Sequence, residues 1–346
     1  MNIRSRAGRT SAPLVLALIL IFSSIVCAQQ RRQGDAEAAR AMQRGTPVLW
    51  REPSDISTRD LLAGPGGTSM KPDARVLIFL KEETGGYSKK YRVRDGLGQE
   101  WVAKIGKEAQ AETAAVRLVW AVGYYTEINY LLPCARITGA PYDAKDRGTC
   151  REGEFANVRL EARPKQFKRL DEWKWSENPF VGTKELQGLI VMMALLNNWD
   201  IKDTNNKIIS VADGTGGRPE LRYIISDLGA TFGKVKLDVP GFWRIARTRN
   251  EPDDYADDSF VEDVKHGQVY FFYKGKRQDL FDDITIEEAS WIGRLLAQLS
   301  DAQISDAFRA ANYTPAEVAT LARAVRVRID ELSNLTGLAE SRARNR

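Results

Sequence analysis

Histidine is almost missing from this chain: His266, in a Lys-His-Gly turn, is the only one among 346 residues. That scarcity removes Ser-His-Asp triads, His-rich zinc sites and His-based phosphorelays, so any chemistry has to run on carboxylates, lysine or asparagine. Cysteine is scarce too, with three residues in all. Beyond the first 28 residues no stretch is apolar enough to span a bilayer, which needs roughly 20 residues. A large excess of one charge is also lacking. Setting aside Arg4, Arg6 and Arg9 of the N-terminal segment, 48 basic residues face 46 acidic ones, a net charge of +2. Nothing in that balance points to a nucleic-acid surface.

What the sequence does have begins at its N-terminus. Arg4, Arg6 and Arg9, with no acidic residue near them, precede an apolar run from Leu14 to Phe22. This is the n-region and h-region of an export signal, and Val26 and Ala28 supply the small residues read before cleavage. Residues 1–28 are therefore expected to be removed, leaving Gln29 first, with a periplasmic or secreted location. A retained anchor and a lipoprotein at Cys27 are the rival readings. After removal of Cys27, Cys134 and Cys150 remain in an oxidising compartment, either bridged or as two free thiols. A bridge would be structural, contributing about 3 kcal/mol by chain entropy. The terminal Arg342, Arg344 and Arg346 read as a solvated end.

With 43% apolar residues, the chain can bury a large core. Residues 29–72 read as an N-terminal extension rich in turn formers. Val76–Leu80, Tyr91–Val93 and Trp101–Ala103 read as strands of an antiparallel meander, with Gly85-Gly86 and Asp95-Gly96 at the turns. Helical period follows over Ala109–Val122, ended by Gly123. Further strands are expected at Ala135–Ile137 and Val158–Leu160. Beyond Pro164 come an apolar helix from Thr183 to Trp199, two short strands around a Gly-rich turn, and some ninety residues of helical period. The expected fold class is α+β: a small β-rich lobe over 73–165, then a larger, mainly helical lobe over 166–346.

The residues that carry chemistry lie where these lobes would meet. After the apolar helix comes Asp200-Ile-Lys202-Asp-Thr-Asn205, and after the following strands comes Asp227-Leu-Gly229. Here the chain resembles the protein-kinase-like superfamily. Asp200, Lys202 and Asn205 have the spacing of a kinase catalytic loop, and Asp227-Leu-Gly229 is similar to its metal-binding Asp-Phe-Gly. Upstream, Gly85-Gly86-Tyr87-Ser88, Val102-Ala103-Lys104 and Glu112 stand in the order of the phosphate-covering turn, strand lysine and helix glutamate. The resemblance implies a bilobal kinase-like fold holding ATP or another nucleotide with Mg²⁺ or Mn²⁺. It assigns Gly85, Gly86, Ser88 and Lys104 to the phosphates and Glu112 to orienting Lys104, with Glu108 as a competing partner. It places Asp200 on the acceptor hydroxyl, Lys202 on the transferring phosphoryl, and Asn205 and Asp227 on the metal.

Departures narrow the branch. A full Gly-x-Gly-x-x-Gly loop is missing, Asn198 and Trp199 stand where His-Arg precedes the catalytic Asp, and no Ala-Pro-Glu follows Asp227. The short glycine turn, the close Lys-to-Glu spacing and the helical tail from Ile304 to Leu332 look more like HipA-type, phosphatidylinositol-kinase-like and secretory-pathway kinases. The expected activity is phosphoryl transfer to an unidentified protein, lipid or small-molecule hydroxyl. The alternative is a catalytically silent kinase fold serving as a binding or scaffold module of the cell envelope. Trp173, Trp175 and Phe180 read as packing, the acidic pairs Asp253-Asp254 and Asp257-Asp258 as a solvated loop, and Asp282-Asp283 as the approach to a helix. Export has a direct check: N-terminal sequencing of protein expressed with its full leader should begin at or near Gln29, and recovery of intact Met1–Ala28 would point to an anchor instead.

Overall fold

Side-chain alternation decides the first sheet. In the computed structural model, which describes residues 36, 38–84, 88–164, 166–212, 217–238 and 244–338, a helix α1 over 38–44 leads into β1 (Thr46–Val48). Strands β2 (Ile78–Glu82), β3 (Lys89–Arg94), β4 (Glu100–Ile105), β5 (Asn129–Ala135) and β6 (Phe155–Ala162) then form an antiparallel sheet in the order β2-β3-β4-β6-β5. Helix α2 (Glu108–Ala121) is inserted between β4 and β5. Tyr91, Val93, Trp101, Ala103, Ile105, Val158 and Leu160 share one buried apolar cluster. The intervening Lys90, Val102, Lys104, Arg159 and Glu161 line a cavity on the other face. Register sets Lys104 opposite Lys90 on one side and Arg159 on the other, with Val102 opposite Glu161. A slip of one residue would push Lys104 into the apolar cluster, so burial of Trp101 and Ala103 fixes where the lysine emerges.

Helix α2 belongs to the other core. Its Ala111, Ala114, Ala115, Leu118 and Val119 pack with Leu189, Met193 and Phe308 of the large lobe. That lobe comprises β7 (Phe167–Asp171), α3 (Lys184–Leu195), β8 (Lys207–Val211), β9 (Glu220–Ile224), β10 (Val235–Asp238), β11 (Arg244–Arg247), α4 (Pro252–Ala256), β12 (Val261–Lys265), β13 (Gln268–Phe271), α5 (Ile286–Leu296), α6 (Asp301–Arg309) and α7 (Pro315–Ser333). Thr285, Ser300 and Thr314 begin α5, α6 and α7 with reciprocal capping boxes to Glu288, Gln303 and Glu317. The α+β class and the two-lobed division anticipated from the sequence are those observed.

Details differ for identifiable reasons. Helix α3 stops at Leu195, short of Trp199, because Asn197 turns left-handed at φ 51° and donates its amide to Gly233 O and Asp258 Oδ2, both at 2.8 Å. Asp258 is thereby buried, at 6% exposure, and is not part of a solvated loop. The final stretch, expected at helical spacing, opens with the hairpin β12–β13, whose two-residue turn His266-Gly267 has φ values of 54° and 79°. Both positive angles make this a type I′ turn, which a histidine enters readily enough to hide the hairpin from composition. Strand β5 runs Asn129–Ala135, upstream of the expected Ala135–Ile137. Trp173 and Trp175 are core residues. Gly85, Gly86, Tyr87, residues 1–28 and the terminal arginines lie outside the described residues.

Residues 46–72 are stitched to both lobes. Strand β1 pairs in parallel with β9, extending the sheet β1-β9-β8-β7. The Trp50 indole donates to Val122 O at the end of α2 (2.7 Å), and Gln303 of α6 donates to Ile56 O (2.8 Å) and Arg59 O (3.0 Å). In the small lobe, Tyr130 donates to Gly67 O at 2.7 Å. Leu49, Ile56 and Leu61 are buried, so the segment seals the back of the lobe junction.

The cysteines are bridged, Cys134 to Cys150, with Cα atoms 5.7 Å apart and a sequence separation of 16. The bridge ties the end of β5 to the charged connector before β6. Replacing both by serine should lower the unfolding free energy by about 3 kcal/mol through the enlarged unfolded ensemble. Urea unfolding of the double variant beside oxidised and reduced wild type checks this; matching midpoints for oxidised wild type and variant would remove the bridge from the stability account.

Candidate active site

Lys104 is 1% exposed, and its ammonium sits among three carboxylates: Glu108 and Asp227 at 2.8 Å each, and Glu112 at 3.0 Å. The first turns of α2 supply the two glutamates, one helical turn apart, so they reach one point in space. Asp227 comes from the loop after β9 and is itself left-handed, at φ 57°. Ser226 before it donates to Asn205 O, which ties this loop to the one bearing Asn205. Gly229 follows because a Cβ there would lie 2.7 Å from Glu108 Cβ. Ser88 donates to Glu108 at 2.6 Å, and Arg249 pairs with the same carboxylate.

Electrostatics holds this cluster ionised. Burial acts to lower the Lys104 pKa, but Glu112 and Asp227 outweigh it and keep the ammonium above its ordinary value. Burial acts in the opposite direction on Glu108 and Asp227, yet Lys104 outweighs it and both carboxyls fall below their usual range.

A second group forms on the 200–205 loop. Asp200 Oδ2 lies 2.6 Å from Lys202 Nζ and Oδ1 lies 2.5 Å from Lys276 Nζ. Asn205 Nδ2 donates to Asp200 O at 3.2 Å, turning its amide oxygen into the group available to a cation. Trp199, just before Asp200, donates its indole to Thr248 O at 2.9 Å and carries the Arg249 guanidinium 5.0 Å from its ring centre. Both groups open into one cavity of about 760 Å³ between the lobes.

Thus Ser88, Lys104, Glu112 and Asp227 form one connected cluster through Glu108, Asp200, Lys202 and Asn205 form another, and the two share a cavity. The choice posed between Glu108 and Glu112 dissolves, since both touch Lys104. Sequence reading missed Lys276 and a ladder of buried ion pairs deeper in the cleft. Arg159 bridges Glu112 (3.3 Å) and Glu161 (2.9 Å), Glu161 also meets Arg163 and Arg169, and Arg169 reaches Glu127 at 2.6 Å. Glu127 is pushed up by burial and by Glu161, while the guanidiniums around Glu161 overcome its burial and hold it well below the carboxylate range. The alternation Arg159-x-Glu161-x-Arg163 was the available signal. A second, mainly apolar cavity of about 270 Å³ adjoins the ladder, lined by Ile128, Phe167, Ile209 and Ile224 and by the ladder's own Glu127, Arg163 and Arg169.

No protein-family model matches the chain, and no curated protein matches it. Among solved structures it is similar to a Helicobacter pylori proinflammatory kinase, CtkA, at a TM-score of 0.43 and 11% identity, over 74% of this chain and 95% of that one. A likeness of that size leaves the site to be judged on its own geometry.

The depressed carboxyls have a consequence in acid. Glu108 and Asp227 contribute stability that is present above their unfolded pKa values, near 4, and is lost as pH falls through their lower folded values. Lys104→Met removes the charge that holds them down and leaves burial to push them up, so the variant should be less stable than wild type at neutral pH but should lose less stability on acidification, its acid limb flattened or reversed. Urea midpoints measured from about pH 7 down to about pH 2 read the difference; superimposable acid limbs would show that Lys104 does not set these two pKa values.

Proposed function

We propose that this protein is an exported phosphotransferase that moves a phosphoryl group from a metal-bound nucleotide, ATP or another, to a hydroxyl of a protein, lipid or small molecule. The observation that carries it is the buried Lys104, held by Glu112 and Asp227, lining the same cavity as Asp200, Lys202 and Asn205. A lysine buried at this cost, yet directed at a cavity, suits a permanent cationic seat for phosphate oxygens.

The donor set fits a hard divalent cation. Asp227, whose side chain is 42% exposed, and the free amide oxygen of Asn205 supply oxygen ligands of the kind Mg²⁺ or Mn²⁺ takes together with phosphates and water. Such a cation, when bound, offsets charge on the transferring group. Asp200 would orient the acceptor hydroxyl and accept its proton, Lys202 would face the transferred phosphoryl, and Glu112 would keep Lys104 aimed.

Export rests on the N-terminal signal pattern. The Cys134–Cys150 bridge fits an oxidising compartment, and among the described residues no helix is long and apolar enough to cross a membrane. One observation favours a second reading, a nucleotide-binding or scaffold module without turnover: both oxygens of Asp200 are taken by lysines, and Lys104 lies directly on Asp227.

Binding and transfer separate the two. Asp200→Ala should retain nucleotide affinity and lose roughly 10²–10⁴-fold in turnover, since a general base acts mainly in the transition state. Lys104→Ala should lose both, Glu112→Ala should lose less of each, and Asp227→Asn should abolish the metal dependence of nucleotide binding. Radiolabel transfer to exported-protein, lipid and sugar fractions, run beside calorimetric binding with and without Mg²⁺ or Mn²⁺, reads all four. Binding without transfer to any fraction supports the scaffold reading, and failure to bind nucleotide under every metal condition overturns both.

A further inference from the structure

Asp200 has more positive charge around it than a hydroxyl-positioning carboxylate requires. Lys202 takes one oxygen and Lys276 the other. The transferring phosphoryl gives Lys202 a task, but Lys276 has none of that kind.

Its placement is built. Lys276 follows β13 on a loop sewn to the loop that bears Asp200. The Lys276 backbone N–H donates to Trp199 O at 2.9 Å. The buried Tyr273 hydroxyl lies 2.7 Å from Asn198 O and 3.0 Å from Lys276 O, its single proton shared between the two carbonyls. On the other side Arg277, left-handed at φ 54°, donates to Asp203 Oδ1 at 3.2 Å. Gly275 is required here, because a Cβ would lie 2.1 Å from the Tyr273 hydroxyl and 2.8 Å from Trp199 Cα. Ordering such a loop costs conformational entropy, and its result is one ammonium, 43% exposed, aimed at Asp200 from the cavity wall.

We propose that Lys276, together with Lys202, forms an anion subsite beside Asp200, and that the acceptor therefore carries an oxyanion, carboxylate or phosphate, next to the hydroxyl it presents. The inference rests on the phosphotransferase reading for the word acceptor, and on geometry alone for the anion subsite. Two ammoniums on one carboxylate leave a local charge of +1 and hold each of its oxygens in an ion pair. An arriving oxyanion exchanges with Asp200 as the partner of the lysines and releases the carboxylate toward the hydroxyl. A neutral acceptor has to displace an ammonium with nothing to offer it, and a cationic one meets like charge.

Inorganic phosphate tests the subsite without an acceptor. With the mature protein saturated by Mg²⁺ and a non-hydrolysable nucleotide analogue, phosphate affinity measured by calorimetry should fall about tenfold in Lys276→Ala, the loss of one charge-assisted hydrogen bond. It should persist in Lys276→Arg and rise in Asp200→Asn, which frees both lysines. A lysine that merely braced the loop would leave that gain unchanged when Lys276→Ala is added to Asp200→Asn, whereas a subsite lysine makes the double variant bind phosphate more weakly than Asp200→Asn alone. Equal affinity in wild type and Lys276→Ala overturns the proposal.

Transfer then identifies the source of the anion. A serine peptide flanked by Glu is compared with its Gln-flanked twin, and glucose 6-phosphate with glucose. A preference of about tenfold or more for the charged member of either pair, reduced in Lys276→Ala, supports the proposal and names peptide or phosphorylated sugar. Equal labelling within a labelled pair overturns it. If no form binds nucleotide, the phosphotransferase reading fails by itself, because the phosphate titration repeated without nucleotide still decides the subsite, as it does when neither pair is labelled.

Discussion

Everything at the centre of this molecule depends on keeping one ammonium charged where water scarcely reaches. An ion of this size moved into a low-dielectric interior forfeits several kcal/mol of hydration, and only well-placed opposite charges recover it. Lys104 has three of them, drawn from two separate parts of the chain: the start of α2 and the loop after β9. Because α2 packs its apolar face into the large lobe and Lys104 is carried by the small lobe's sheet, the ion cluster doubles as a clamp between lobes. The ladder from Arg159 to Glu127 continues that clamp along the cleft, and residues 46–72 close it from behind. Removing one charge from such a set strands the others, so the cluster is cooperative in a way that apolar packing is not.

The same clamp bears on how much the lobes can move. In a fold where the glutamate-bearing helix leans only on the sheet, it can swing away and disconnect the lysine. Here Ala111, Ala115, Leu118 and Val119 anchor α2 in the larger core, and Trp50 and Arg59 fasten its C-terminal end to the N-terminal segment, which Gln303 of α6 holds in turn. The connection between Lys104 and Glu112 is therefore part of the resting fold.

What the sequence disclosed follows the range of the interactions. Strands β3 and β4, helix α2 and the order of Lys104, Glu112, Asp200, Asn205 and Asp227 are local patterns, set by period and by short spacings. The two-lobed α+β division followed from them. Contacts made across long separations left no local trace. Lys276 lies 76 residues from Asp200 in the numbering, and nothing in Lys-Gly-Lys marks it as facing a carboxylate. Asp258 reads as solvated because its neighbours are acidic, but Asn197 and the backbone of Val235 bury it. Arg328, deep in α7, holds Leu195 O, Asn197 Oδ1, Tyr255 O and Asp258 O together, and only the folded chain shows that a C-terminal helix ends α3 and so starts the loop of Asp200.

Charge is divided within the cavity, and the division has a direction. Around Lys104 three carboxylates face three cations, the ammonium, Arg249 and an Arg159 that Glu161 also claims, so this group is close to neutral. Around Asp200 two ammoniums outnumber one carboxylate. On the phosphotransferase reading, a polyphosphate would gain little net attraction at the first group unless it brought a divalent cation for the acidic oxygens to share. The second group, with its surplus ammonium, would instead suit an anion brought without a metal. On that reading a single cavity would sort two anionic ligands by whether they arrive with a cation, which neither loop could do alone. The sorting rests on register and on one glycine: Lys104 emerges where Ala103 is buried, and Lys276 reaches Asp200 because Gly275 lets its loop lie against Trp199.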